Sequence, residues 1–182
     1  LVGENGAGKS TLMKILSGVY RMDAGEIFID DKKVEITDPL TSQNLGISII
    51  YQELNLLQNL NIAENIFIGK EIKKSIFVDK AKMHEESQKL LNEVGLNVST
   101  KTLVRDLSTA QKQMVEVAKA LSFNSKIIIV DEPTSSLTDT ETAILFNIIR
   151  KLKSKNVAIV FISHRMNEIF EIADEVVVMR DG

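Results

Sequence analysis

The chain has 182 residues, 44% of them hydrophobic and 26% charged, with a formal net charge of −3. That length and balance fit one globular domain with a real core, and the slightly acidic total argues against nucleic acid as the main partner. The absence of cysteine excludes disulfides and thiolate metal sites, and no apolar run reaches the ~18–20 residues of a membrane-spanning helix, so a membrane role would have to run through a partner.

In chain order, Leu1-Val2 reads as the end of a strand and Gly3 to Gly8 as a loop. Lys9–Leu16 reads as a helix with Leu12, Ile15 and Leu16 on one face and Gly18 beyond its end. Residues 26–29 and 34–36 suggest short strands about an Asp30-Asp31-Lys32-Lys33 turn, and Ile47–Ile50 a buried strand. Residues from about 62 to 96 carry a helical pattern, with Met83, Leu90, Leu91 and Val94 on one face and Gly95 as the stop. A further helix is expected over Thr109–Leu121, with Met114, Val117, Ala118 and Leu121 inward.

The remainder alternates. Strands at 127–130, 157–162 and 176–179 are separated by helices at 139–152 and 167–173. Continuous β-branched runs between amphipathic helices predict an α/β fold whose mainly parallel sheet is buried on both faces. The chain opens directly before a glycine-rich loop, without an initiator Met, and stops on the turn dipeptide Asp181-Gly182. The expectation is therefore a single domain, 1–182, truncated at both ends.

The strongest motif is Gly3-Glu4-Asn5-Gly6-Ala7-Gly8-Lys9-Ser10, followed by Thr11. It fits G-x-x-x-x-G-K-[ST] between a strand end and a helix start, the context that gives the pattern its meaning. Glycines let successive N–H groups curl around one anion, and the helix N-terminus adds partial positive charge. Lys9 would reach the β- and γ-phosphates of a nucleotide, and Ser10 a Mg²⁺ ion. The second motif is the apolar strand at 127–130 ending in Asp131-Glu132. Carboxylates at the C-terminal edge of an open α/β sheet sit where such sheets bind ligands. Asp131 would hold Mg²⁺ through its water, and Glu132 would orient or deprotonate the attacking water.

Three weaker signals stand in a fixed order around these two. Gln52 follows the strand Ile47–Ile50, Leu107-Ser108-Thr109-Ala110-Gln111 opens a helix about twenty residues before Asp131, and His164 follows the strand at 157–162. Each alone has a bland reading: a solvated loop glutamine, a helix cap at Ser108, a structural histidine. Together with the phosphate-site motifs, their order resembles the ATP-binding-cassette family across essentially the whole chain.

That resemblance implies a P-loop NTPase with a helical subdomain at about 55–125, inserted between the Q-loop and the signature motif, and a partial antiparallel β subdomain. It implies an ATPase using ATP and Mg²⁺. Gln52 matches the Q-loop glutamine, which touches Mg²⁺ and signals to the membrane subunit. Residues 107–111 match the signature motif, which caps the γ-phosphate held by an opposing cassette. Ser135-Ser136-Leu137-Thr138 matches the D-loop, and His164 the switch histidine. ATP-binding residues carried over are Gly3 to Thr11 and Gln52; catalytic ones are Lys9, Glu132 and His164; metal-binding ones are Ser10, Gln52 and Asp131.

The stretches Tyr51-Gln52-Glu53-Leu54-Asn55-Leu56, Gln113 to Leu121, Leu137 to Thr142 and Ser163 to Phe170 are similar to importers of ribose, galactose and xylose type. The implied protein is the first of two cassettes in one polypeptide, on the cytoplasmic face of the membrane. Its implied partners are permease subunits and, indirectly, a sugar-binding protein. A soluble ribosome-acting ATPase is the alternative. A repair-type member would need a long coiled coil where only residues 11–106 intervene, and a degenerate module would not keep Lys9, Ser10, Asp131, Glu132 and His164. Two features depart from the family pattern. Thr109-Ala110 stands where two glycines are usual, and the aromatic residue that stacks on adenine would lie upstream of Leu1.

Overall fold

A computed structural model describes residues 1–52, 54–135 and 137–182. Glu53 of the Q-loop stretch and Ser136 of the D-loop stretch lie outside the described residues.

The elements follow in order: α1 (Lys9–Leu16), β1 (Ile27–Ile29), β2 (Lys32–Val34), α2 (Pro39–Asn44), β3 (Ile47–Ile50), α3 (Ile62–Phe67), β4 (Lys73–Lys74), β5 (Phe77–Val78), α4 (Lys80–Glu93), α5 (Thr109–Leu121), β6 (Ile127–Asp131), α6 (Asp139–Lys153), β7 (Ala158–Ile162) and α7 (Met166–Ile172). Among the described residues no helix is long and apolar enough to cross a membrane.

The core sheet is parallel, in the order β3-β6-β7. Ile47 pairs with Ile127 and Ile127 with Ala158, a register that runs on to Asp131 opposite Ile162. Both faces of the central strand are covered. Ile128 and Val130 pack into the larger apolar cluster with Phe146, Ile149 and Phe161, while Ile129 joins Met13, Ile47 and Ile162 beneath α1. Phe146 and Phe161 meet edge to face at 5.8 Å between centroids, a geometry worth about 0.5–1.5 kcal/mol beyond the area buried. The sheet therefore ends in a rigid edge on which Asp131 is carried.

Local sequence decides where the helices begin. Asn61 with Glu64, Ser108 with Gln111, and Thr138 with Glu141 each form a reciprocal capping box at the starts of α3, α5 and α6. Each box satisfies two otherwise orphaned N–H groups. Helices α3, α4 and α5 pack on one another through Ile62, Ile66, Leu91, Val115 and Val117. Asn65, fully buried in α3, holds the preceding loop. Its amide accepts from the Leu57 N–H at 2.7 Å and donates to the carbonyls of Leu57 and Asn61, both at 3.0 Å.

Four expectations need correction. The first hairpin turns on Asp30-Asp31 alone, both at positive φ, and Lys32-Lys33 belong to its second strand. Two residues in the left-handed region match the twist of a tight hairpin, so no longer loop is needed. The helical pattern across 62–96 is broken by the antiparallel β4-β5 hairpin between α3 and α4. In α1 the inward residue is Met13, 2% exposed, whereas Leu12 is 38% exposed. The strand expected at 176–179 makes only a parallel bridge, Val2 to Val178, with Val2 N–H on Val177 O at 2.9 Å and Met179 N–H on Val2 O at 2.8 Å.

Candidate active site

The loop from Gly3 to Gly8 joins Val2, in the sheet, to α1. Gly3 lies against the segment that follows α7, and a Cβ there would drive well inside contact with the carbonyl oxygen of Met179. Gly8, the residue before the helix, has φ 96°, a conformation side chains resist. These two glycines set the path by which the chain turns from sheet to helix. The first N–H of α1 with a backbone acceptor is that of Leu12, on Gly8 O at 2.9 Å. Among the described residues the N–H groups of Lys9, Ser10 and Thr11 have none, the ordinary state of a helix start and the reason it attracts anions.

Lys9 is buried, yet its ammonium finds no carboxylate partner among the described residues. It folds back on its own loop and donates to Gly3 O at 2.8 Å and Glu4 O at 3.0 Å. Such carbonyls are weak partners for a buried charge, and a phosphate would compete well for it.

The loop residues from Asn5 to Thr11 line one cavity of about 450 Å³ together with Gln52, Asp131 and Glu132. The sheet brings the last three there: Gln52 stands just past β3, Asp131 ends β6, and Glu132 follows it. Burial, reinforced by the neighbouring charge of Glu132, pushes the Asp131 carboxyl up, while Lys9 opposes the shift. Glu132 has φ 44°, unusual for a residue with a side chain. Its N–H is tied to Ile162 O at 3.0 Å, which holds the strained backbone in place. His164 is exposed, just past β7, with Nδ1 3.3 Å from Glu132 Oε1.

The structure thus gathers every residue from Asn5 to Thr11, Gln52, Asp131, Glu132 and His164 at one place. Gly3 and Glu4 stand behind it, facing Lys9 with their carbonyls. Residues 107–111 do not line this cavity: Leu107 is buried, Ser108 and Thr109 are exposed, and Ser108 caps α5 by accepting from Gln111 N–H at 3.3 Å. The capping reading of Ser108 therefore holds, whatever else the residue contacts in an assembly.

Among the described residues no three His, Cys, Asp or Glu side chains gather as a metal cage. Ser10, on the loop side, and Asp131, on the sheet side, offer two oxygen donors to the same cavity, which suits a hard cation such as Mg²⁺ that takes its other ligands from phosphate and water. A buried network beside the site escaped the sequence reading. Glu168 accepts from Thr134 Oγ1 and Ser163 Oγ, both at 2.8 Å. In the sequence Glu168 stands at helical spacing from Arg165 and Glu171, so it reads as one more solvated charge.

Comparison with known proteins agrees with this geometry. Residues 1–135 match the model of the ABC transporter family. The chain is 56% identical over 184 residues to the ribose import ATP-binding protein RbsA of Clostridium tetani, aligning along 100% of itself and 36% of that protein. It is 50% identical over 182 residues to the galactose/methyl galactoside import ATP-binding protein MglA of Clostridium perfringens, along 100% of itself and 35% of that protein. It therefore spans about a third of the length of these curated relatives. A solved ATP-binding cassette of an ABC transporter in its ADP conformation superposes with a TM-score of 0.86 at 28% identity, covering 100% of this chain and 75% of that one. A nucleotide-free cassette from an ABC transporter superposes with a TM-score of 0.87 at 27% identity, covering 100% and 76%. The sequence, the sheet and the phosphate loop agree: this chain belongs to the ABC transporter family.

Proposed function

We propose that this chain is the ATP-binding and ATP-hydrolysing portion of an importer for a monosaccharide of ribose or galactose type. The observation that carries the reading is the single cavity on which the phosphate loop, Gln52, Asp131 and Glu132 converge, with His164 against Glu132. The names of the two curated relatives support the choice of sugar. A ribosome-acting ATPase gains no support from them.

Each residue has a physical task in this reading. The N–H groups at the start of α1 and the Lys9 ammonium hold the β- and γ-phosphates. Mg²⁺, where bound, would be held by Ser10 and Asp131, with Gln52 at the margin, and would neutralise charge building on the phosphates. Glu132 orients the attacking water and draws off its proton, and His164 contacts the γ-phosphate from the side of β7. Residues 107–111 would cap the γ-phosphate of an opposing cassette, with Ser135, Leu137 and Thr138 near the junction. Residues 1–182 form one nucleotide-binding domain in this reading, with the helices between about 55 and 125 as its helical part. The polypeptide would act at the cytoplasmic face of the membrane, with permease subunits, a second cassette and, indirectly, a sugar-binding protein.

The test is sugar uptake and ATP hydrolysis by the complete polypeptide reconstituted with its permease. Hydrolysis stimulated by a loaded ribose- or galactose-binding protein is the expected result. Hydrolysis stimulated by ribosomes and not by the permease would overturn it.

A further inference from the structure

Glu168 lies in the first turn of α7 and is 4% exposed. Its Oε2 accepts from Thr134 Oγ1 and from Ser163 Oγ, both at 2.8 Å. Its Oε1 accepts from Arg165 Nη1, also at 2.8 Å. Thr134 and Ser163 are each 2% exposed. The Ser163 oxygen also accepts from the Arg165 N–H at 3.0 Å, which closes the loop between β7 and α7 on itself.

The two hydroxyls belong to segments that leave different strands of the sheet. Thr134 stands two residues after Glu132, past the end of β6, and Ser163 immediately precedes His164, past the end of β7. One carboxylate oxygen therefore binds the segment carrying the water-orienting glutamate to the segment carrying the histidine. The Glu132 backbone is strained, at φ 44°, and such conformations persist only where surrounding contacts over-determine them. A buried carboxylate is costly unless fully paired, and an apolar side chain would fill the same space at less cost. Packing alone does not call for the charge.

We propose that Glu168 is a positioning residue for hydrolysis: it sets the distance and orientation between Glu132 and His164 by clamping Thr134 and Ser163 on a single oxygen. The proposal rests on the reading of this cavity as an ATP-hydrolysing site. Glu168 does not line that cavity. Its loss should therefore disturb catalytic geometry and leave the grip of the phosphate loop intact. Misplacing reacting groups by about 1 Å costs on the order of 10²-fold in rate.

The variant is Glu168→Gln in the complete polypeptide, which keeps shape and volume but replaces an acceptor by an amide donor. The readouts are kcat, ATP affinity, thermal unfolding, and the ring signals of His164 in ¹³C-histidine-labelled protein, assigned with His164→Gln. The expected result is a kcat lowered about 10- to 100-fold and a Kd for ATP changed by less than about threefold, within the scatter of an indirect contact. The His164 ring signals should shift while those of His84 stay. Adding Ser163→Ala to Glu168→Gln should cost little more, because both remove the same clamp.

Unchanged kcat with unmoved His164 signals overturns the proposal, and so does ATP affinity falling in step with kcat, the mark of a merely structural role. Should Glu168→Gln fail to fold, Thr134→Val and Ser163→Ala each cut one arm of the clamp and must each lower kcat without lowering ATP affinity. A wild-type protein that does not hydrolyse ATP refutes the reading of the site, and the His164 signals then decide the clamp separately.

Discussion

His164 Nδ1 stands 3.3 Å from Glu132 Oε1, although the two residues lie 32 positions apart and at the ends of different strands. The parallel register prepares this approach: Asp131 pairs with Ile162, so Glu132 and the Ser163-His164 segment leave the sheet side by side. A histidine and a carboxylate in this relation can jointly orient a water, the work expected of a hydrolytic site.

Glu132→Gln should retain ATP affinity and slow turnover by two orders of magnitude or more, because the amide keeps the shape but cannot take a proton. Single-turnover hydrolysis with radiolabelled ATP reads this directly. Wild-type rates from the variant would mean that another group polarises the water.

Lys9→Ala should abolish hydrolysis and weaken ATP binding while leaving the unfolding temperature within a few degrees. Among the described residues the ammonium hydrogen-bonds to two carbonyls of its own loop and to no other group, so little structure is lost with it. Removing one charge from a developing anion typically costs about 3–4 kcal/mol, or 10²–10³ in rate. Unaltered ATPase activity would remove the phosphate-loop assignment.

Asp131→Asn should raise the stability of the nucleotide-free protein near neutral pH while eliminating Mg²⁺-dependent hydrolysis. Burial and the Glu132 charge raise the folded-state pKa of Asp131 above its usual carboxylate value. The folded protein then holds the proton more tightly than the unfolded chain, so stability declines as pH rises between the two values and the penalty is complete above the folded one. The neutral amide avoids that penalty. Denaturant titrations at pH 4 and pH 7.5 should show the gain over wild type growing with pH; a gain confined to acid pH would contradict the burial argument.

Gly3→Ala should destabilise the fold by about 1–3 kcal/mol, the usual range for forcing a methyl into filled space. The methyl would meet the backbone carbonyl of Met179, which cannot swing aside as a side-chain tip could. Equilibrium unfolding measures the loss, and an unchanged midpoint would show that the segment after α7 is free to retreat.

The two nucleotide sites of a tandem polypeptide should be unequal, the stronger one using the phosphate loop of this chain. Thr109 and Ala110 stand where glycines would let N–H groups approach a γ-phosphate closely, so the site capped by residues 107–111 is expected to be the weaker catalyst. Comparing Lys9→Ala with the matching lysine change in the second cassette decides it. Equal losses leave no asymmetry, and a greater loss from the second refutes it.

Sequence alone determined a good deal. Helices α1 and α5 begin and end where their periodicity and terminal residues say, because the glycine turn before α1 and the capping pair Ser108–Gln111 are local chemistry. The phosphate loop was legible for the same reason: its function resides in consecutive backbone groups. Tertiary structure decided what depends on neighbours. The break at β4-β5 inside an apparently helical run and the inward turn of Met13 in place of Leu12 both follow from what each segment packs or pairs against. So does the buried clamp at Glu168. A glutamate on a short helix reads as a solvated charge until the sheet brings Thr134 and Ser163 to it from beyond the ends of two different strands, and that convergence, with Arg165 on the other oxygen, makes a buried carboxylate tolerable.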